Sequence, residues 1–169
     1  GTLNASLEQG GKVRRLSHGL STAVSLQFSR NGKVLSSVRS SPTAPHDIFC
    51  TAVNGGKTTQ ATLSRAVSIP ESQMVIPELV HYPSFDRRTI SGFLYLPKTG
   101  KPPFPTVVWP HGGPEHQEIA EYRPRHQFFA NHGFAVFVPN FRGSTGFGQR
   151  FQRLIYRDWG GGHYKDVLW

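Results

Sequence analysis

Residues Val107–Gln117 read "VVWPHGGPEHQ". A run of β-branched and aromatic side chains stops at Pro110 and gives way to His111, Gly112, Gly113 and Pro114. With Pro105 and Thr106 ahead of it, "PTVVW" is a short, continuous apolar run, the mark of a strand buried on both faces. The loop that follows leaves the C-terminal end of that strand, where open α/β sheets bind their ligands. Two glycines remove the side chains that keep a backbone away from a reacting carbonyl, and they leave the Gly113 N–H able to face a pocket. Pro114 has no N–H to offer and fixes the direction of the loop. A main-chain donor placed in this way suits an oxyanion hole, which stabilises charge that exists only in the transition state. The same four residues suit, equally well, a glycine-rich strand-to-helix turn with a structural histidine.

Working outward, the downstream residues alternate between helix and strand patterns. "YRPRHQFFANHG" predicts a helix with Phe128, Phe129 and His132 on one face and Gly133 as its C-cap. "FAVFVPN" predicts a second buried strand, followed by the glycine-rich turn "FRGSTGFG". In "GQRFQRLIYRDW", Phe151, Leu154 and Ile155 fall at helical spacing, and "YKDVLW" reads as a helix cut off at Trp169. Upstream, "ELVHYPS" and "TISGFLYLP" read as a strand pair joined by a turn at Asp86-Arg87. Alternation of this kind, with short loops, means an α/β domain with a parallel sheet from about residue 76 onward.

Residues 1–75 follow a different pattern of short strands and turns. "AVSLQFS" runs through Asn31-Gly32 into "KVLSSVRS", a strong hairpin signal because both turn residues tolerate positive φ. After the loop "SPTAPH" come "DIFCTAV", a second turn at Asn54-Gly55-Gly56, and "KTTQATLS". "GGKVRRLS" from Gly10 is echoed by "GGKTTQATLS" from Gly55. A period of about 40–50 residues with four short strands is the pattern of a β-propeller blade. A plain antiparallel meander is the alternative, and the echo favours the blade.

The bulk numbers bound the partners. The 169 residues carry 19 Lys+Arg against 10 Asp+Glu, a net charge of +9 that makes a nucleic-acid reading legitimate. The arginines between Arg123 and Arg157, however, are spread among Phe, Tyr and Gln, with no basic run and no nucleic-acid module. No nucleic-acid partner is therefore expected. No apolar run approaches the roughly 18 residues of a membrane span. "GTLNASLEQGGKVRRL" lacks the apolar core of a secretory signal, and a start at Gly1 points to missing upstream residues. Cys50, the single cysteine, reads as a small buried hydrophobe in a strand, and it favours a reducing, cytoplasmic location. The sequon Asn4-Ala5-Ser6 matters only in a secreted protein.

"ELVHYPSFDRRTISGFLYLPK", "PTVVWPHGGPEHQ", "FFANHGFAVFVPNFRGSTGFGQRF" and "DWGGG" occur in one order over about 90 residues. Together they resemble the catalytic domain of the prolyl oligopeptidase family of serine peptidases, particularly its dipeptidyl-peptidase and acylaminoacyl-peptidase branches. The resemblance implies the last strands of a β-propeller (1–75) followed by the N-terminal part of an α/β-hydrolase domain (76–169). It also implies that Gly113 supplies one oxyanion-hole N–H, with His111, Gly112 and Pro114 shaping the loop. The second donor of that hole belongs to the residue after the nucleophilic serine. Arg87 departs from the family, which usually has Gly in that turn.

No serine here satisfies G-x-S-x-G, the strained turn that lifts a nucleophile above the sheet. Gly19-Leu20-Ser21-Thr22-Ala23 has Ala for the last Gly, and Ser144 has Arg142 two residues before it. Acid and base follow the serine in α/β hydrolases, so none of the eight histidines is the catalytic base. Other matches fail. "GGKTT" has Thr51 where a P-loop needs its first Gly, and "RGSTGFG" has the wrong order for a dinucleotide fingerprint. His111, His116, His126 and His132 lack the spacing of a zinc site. Neither cofactor nor metal is expected. The expected function is hydrolysis of peptide bonds in short peptides through an acyl-enzyme, with this chain inactive alone. An esterase or lipase, and a non-catalytic hydrolase-like interaction module, are the alternatives. Without a strand beside it, the "PTVVW" strand becomes an exposed edge, and poor solubility is expected.

Overall fold

A computed structural model describes residues 2–17, 19–65 and 69–169. The chain is of mixed α/β type and divides into two compact units, one comprising Val75–Glu118 with Pro124–Trp169 and the other Thr2–Met74 with Ile119–Arg123. No described helix is long and apolar enough to cross a membrane.

The second of these units is built from antiparallel strands. Strands β1 (Ser6–Gln9) and β2 (Lys12–Arg15) form a two-stranded ribbon. Strands β3 (Thr22–Phe28), β4 (Val34–Ser41), β5 (Ala44–Ala52) and β6 (Thr58–Gln60) form a meander in that order. The two echoing Gly-Gly turns precede β2 and β6, each the last strand of its sheet. Two turns differ from expectation. The Asn31-Gly32 connection spans residues 29–33, and only Gly32 takes positive φ. The Asn31 carboxamide instead accepts hydrogen bonds from the Ser29 hydroxyl and the Lys33 N–H, which stabilises a longer loop. The expected loop "SPTAPH" shrinks to Pro42-Thr43, because Ser41 pairs with Ala44 and β5 begins there. Cys50 lies half-buried in β5 and is free.

The other unit is a four-stranded mixed sheet in the order β7 (Glu78–Pro83), β8 (Thr89–Tyr95), β10 (Ala135–Asn140), β9 (Thr106–Val108). Strand β10 runs antiparallel to β8 and parallel to β9, so the loops leaving β9 and β10 emerge at the same end of the sheet. Ile90, Phe93, Tyr95, Val136 and Val138 are the large apolar strand residues buried in this unit. The β7–β8 turn places Arg87 at φ 62°, the left-handed conformation that glycine adopts at least cost. Its N–H donates to the Ser84 carbonyl, so the hairpin keeps its geometry with a strained arginine in place of glycine.

Helix α1 (Pro124–Asn131) connects β9 to β10, and Gly133 ends it at φ 85° while Phe134 N–H bonds back to the Phe129 carbonyl. His126, Gln127 and Ala130 point inward, whereas Phe128 is 57% exposed. The reason is that polar side chains make the packing contacts. The Gln127 carboxamide closes a two-way hydrogen-bond pair with the backbone of Val75, and His126 packs against Tyr95 and Trp109. Residues 149–155 form a short α2 (Gln149–Gln152) and a 3-10 turn from which Ile155 is buried. Helix α3 spans Gly162–Leu168.

Strand β9 shows the exposed edge expected of it in place of burial on both faces. It is an edge, and Val108 is 46% exposed, because no described strand pairs with its far side. An apolar edge with open N–H and C=O groups is a template for self-pairing. Sedimentation velocity on the chain is expected to show concentration-dependent association, which Val108→Lys reduces. A wild-type chain that stays monomeric at all concentrations, with a sharp cooperative unfolding transition, would contradict this.

Candidate functional site

The loops after β9 and β10 meet at the shared end of the sheet. Asn140, the last residue of β10, uses both ends of its carboxamide on the backbone of Glu118, accepting from its N–H at 2.8 Å and donating to its C=O at 3.2 Å. The Thr145 N–H donates to the His116 carbonyl at 2.9 Å. Gly146 lies so close to the Gln117 side chain that a Cβ there would collide with it. These contacts clamp the 109–117 loop between two backbone anchors.

His111 is buried at the centre of this junction, stacked on Phe141 with ring centroids 4.4 Å apart. Its Nδ1 lies 2.9 Å from the Gly112 carbonyl, and its Nε2 lies 2.8 Å from Ser144 Oγ. A carbonyl oxygen only accepts, so Nδ1 carries the proton. Burial holds the ring below the ordinary histidine pKa, outweighing the Gly112 carbonyl, and His116 pushes in the same downward direction. With the proton on Nδ1, Nε2 accepts the single proton of the Ser144 hydroxyl, which is then not available to the Phe141 carbonyl 2.6 Å away.

The bond to Gly112 has a geometric consequence. In a trans peptide the C=O and the following N–H point in opposite directions. Holding the Gly112 carbonyl toward His111 turns the Gly113 N–H the other way. That N–H has no acceptor among the described residues. Gly113 sits at φ 127°, and a Cβ there would lie 3.0 Å from the Glu115 nitrogen, so only glycine fits without strain. Pro114 follows directly, and both residues line a cavity of about 410 Å³ together with Pro110, His111, Phe141 and Trp159.

Sequence reasoning missed two parts of this arrangement. Ser144 was weighed only as a nucleophile, yet it is fully buried and bonded to His111. Its signal lies in the three-residue step to Phe141, which brings the hydroxyl back to within 2.6 Å of that carbonyl. The second part is Asp166 on α3, whose buried carboxylate accepts from the Arg142 backbone N–H at 2.8 Å, Nε at 2.9 Å and Nη2 at 2.7 Å. It also accepts from the Ser84 hydroxyl. The hydrogen bonds that Arg142 donates to Asp166 raise its pKa above the ordinary guanidinium range despite desolvation. Arg142 in turn reaches Asp86 at 3.0 Å, and that hydrogen bond is the main cause holding the Asp86 carboxyl below its ordinary range. Burial, with the charge of Asp166, pushes the Tyr82 phenol up to about 12.

The four histidines considered for a metal do not converge. His111 and His116 touch edge to face at 5.7 Å, His126 packs inside α1, and His132 bonds the Phe128 carbonyl. Among the described residues, no group of three or more His, Cys, Asp or Glu is arranged to hold a metal ion.

Residues 120–169 match the model of the prolyl oligopeptidase family. The chain is 36% identical over 107 residues to dipeptidyl aminopeptidase BIII of Pseudoxanthomonas mexicana, covering 58% of this chain and 16% of that one. It is 31% identical over 129 residues to the uncharacterized peptidase YuxL of Bacillus subtilis, covering 75% and 20%. A puromycin-hydrolyzing peptidase of Mycobacterium tuberculosis superposes with a TM-score of 0.89 at 19% identity, over 99% of this chain and 27% of that one. An acylaminoacyl peptidase of Pyrococcus horikoshii gives 0.82 at 21% identity, over 99% and 26%. The chain thus spans about a fifth of the length of these curated relatives and about a quarter of the solved ones.

Folding favours the neutral His111 ring, whose pKa lies below the ordinary 6.5. Its stabilising contribution is therefore complete above about pH 6.5 and declines as acid is added down through the lowered folded value. Thermal midpoints measured from about pH 8 to about pH 5 are expected to fall less steeply in His111→Gln than in the wild type. Equal slopes would show that folding does not lower the His111 pKa.

Proposed function

The chain belongs to the prolyl oligopeptidase family, and on that premise we propose that it is part of a serine-type peptidase acting on short peptides. Residues 76–169 are read as the N-terminal part of an α/β-hydrolase catalytic domain, and residues 1–75 as the last strands of a β-propeller. In this reading the meander β3–β6 is one blade, and the β1–β2 ribbon is the end of the blade before it. The order β7-β8-β10-β9, with β10 inserted between antiparallel β8 and parallel β9, supports the hydrolase assignment.

The observation that carries the reading is the unpartnered N–H of Gly113 beside the cavity at the C-terminal end of β9. The proposed reaction is acyl transfer. A serine attacks the peptide carbonyl, the carbonyl oxygen gains negative charge, and the Gly113 N–H donates a hydrogen bond to it. The donor must be fixed before the charge appears, since a dipole that reorients during the reaction repays its own cost. Here the fixing is done by His111 through the Gly112 carbonyl, with Ser144 behind the ring and Pro114 restricting the chain after Gly113. Loss of a single such donor typically costs about 10²–10³ in kcat. In this reading the nucleophile, the acid and the base lie outside this sequence.

The coding sequence beyond Trp169 tests the proposal. It is expected to encode G-x-S-x-G, then an acid and a histidine, and the protein that includes them is expected to cleave peptide amides. The 169-residue chain alone is expected to cleave neither amides nor short acyl esters. A reading frame without the serine would remove the catalytic reading and favour an interaction module. Cleavage of esters but not amides by the longer protein would favour an esterase.

A further inference from the structure

Arg39 on β4 and Asp47 on β5 are cross-strand partners, and both line a cavity of about 190 Å³ whose walls include Ser21, Ser41, Phe49 and Gln60. The two charges are treated very differently by the fold. Asp47 is buried and already saturated, because the Thr62 hydroxyl, the Ser64 N–H and hydroxyl, and the Gln60 amide all donate to its carboxylate. Arg39 is half-buried, and among the described residues no carboxylate lies within ion-pair range of it.

The guanidinium is nevertheless held in place. Its Nε donates to Ser37 Oγ at 2.9 Å, and its Nη2 donates to Thr51 Oγ1 at 2.7 Å. Both hydroxyls belong to buried residues of β4 and β5, and the group lies 5.3 Å from the centre of the Phe49 ring. These contacts use two of its five N–H donors. Both hydrogens of Nη1 and the second on Nη2 remain, and one from each nitrogen makes the planar fork that matches a carboxylate. Desolvation pulls the Arg39 pKa below its ordinary value, as expected of a cation that has lost water without gaining an anion.

We propose that this cavity binds a carboxylate, which the end-on fork of Arg39 takes in bidentate fashion beside the Phe49 ring. The charge of Asp47 in the same wall opposes a second negative charge, so the site suits a monoanion such as a peptide C-terminus rather than a phosphate dianion. The site is separate from the His111 loop and does not depend on the proposed reaction.

The test is a titration of the 15N-labelled 169-residue chain with N-acetylglycine, acetate, N-acetylglycinamide and inorganic phosphate at fixed ionic strength. The Arg39 Nε–H resonance is the reporter. The expected result is a saturable shift with the two carboxylates, none with the neutral amide, and weaker binding of phosphate. Arg39→Gln is expected to weaken N-acetylglycine binding about tenfold or more. A stronger response to N-acetylglycine than to acetate would support a peptide C-terminus as the occupant, and equal responses would support recognition of the carboxylate alone. The proposal is overturned if neither carboxylate gives a saturable shift, if the amide responds equally, or if Arg39→Gln binds undiminished. Circular dichroism reports whether that variant folds. If it does not, the contrast between carboxylate and amide in the wild-type chain still decides.

Discussion

The buried carboxylate of Asp166 is the constraint on which the mixed-sheet unit depends. One oxygen pair gathers the backbone and guanidinium of Arg142 from the end of β10, the hydroxyl of Ser84 from the β7–β8 turn, and its own helix α3. The Tyr82 hydroxyl adds a bond to the Asp166 carbonyl, and Arg142 extends the network to Asp86. A charge this deeply buried is tolerated only when it is paired and its lone pairs are filled, as they are here. Removing one partner of such a pair typically costs about 3–5 kcal/mol, because the other charge is left stranded. The network therefore fixes where Phe141, Gly143 and Ser144 lie, and these are the residues against which the His111 loop is built.

From that anchor the site is assembled by short steps. Ser144 faces the imidazole, the imidazole faces the Gly112 carbonyl, and peptide planarity passes the constraint to the Gly113 N–H. Each step uses a neutral hydrogen bond in a buried place, where an unmet partner is expensive. The result is a main-chain donor without an internal acceptor, positioned by groups that do not touch the cavity's contents through charge. A positive ring at His111 would alter that field, and its burial favours the neutral form.

Much of this was legible in the sequence. The apolar strands, the Gly133 stop and the glycine-rich loop carry strong local signals, since period, φ preference and missing side chains are properties of neighbouring residues. What escaped depends on distant partners. The buried face of α1 carries no local signal, because Gln127 and His126 are polar, and only the bonds of Gln127 to Val75 and the ring contacts of His126 make them interior residues. Val108 has the composition of a central-strand residue, while its exposure is decided by which strands are present beside it. Arg87 shows the converse: a residue whose own preference disfavours positive φ accepts it because the hairpin closes around it. Ser144 and Asp166 are unremarkable in sequence, and their roles arise from contacts across 33 and 24 positions.

The protonation state of the His111 ring tests the central claim most directly, because the aim of the Gly113 N–H follows from it. Imidazole 15N shifts of the chain at neutral pH are predicted to show a neutral ring with the proton on Nδ1 and a bare Nε2. A neutral ring protonated on Nε2 would contradict the account, since Nδ1 would have no proton to hold the Gly112 carbonyl, and a ring already charged at neutral pH would contradict the burial that favours its neutral form.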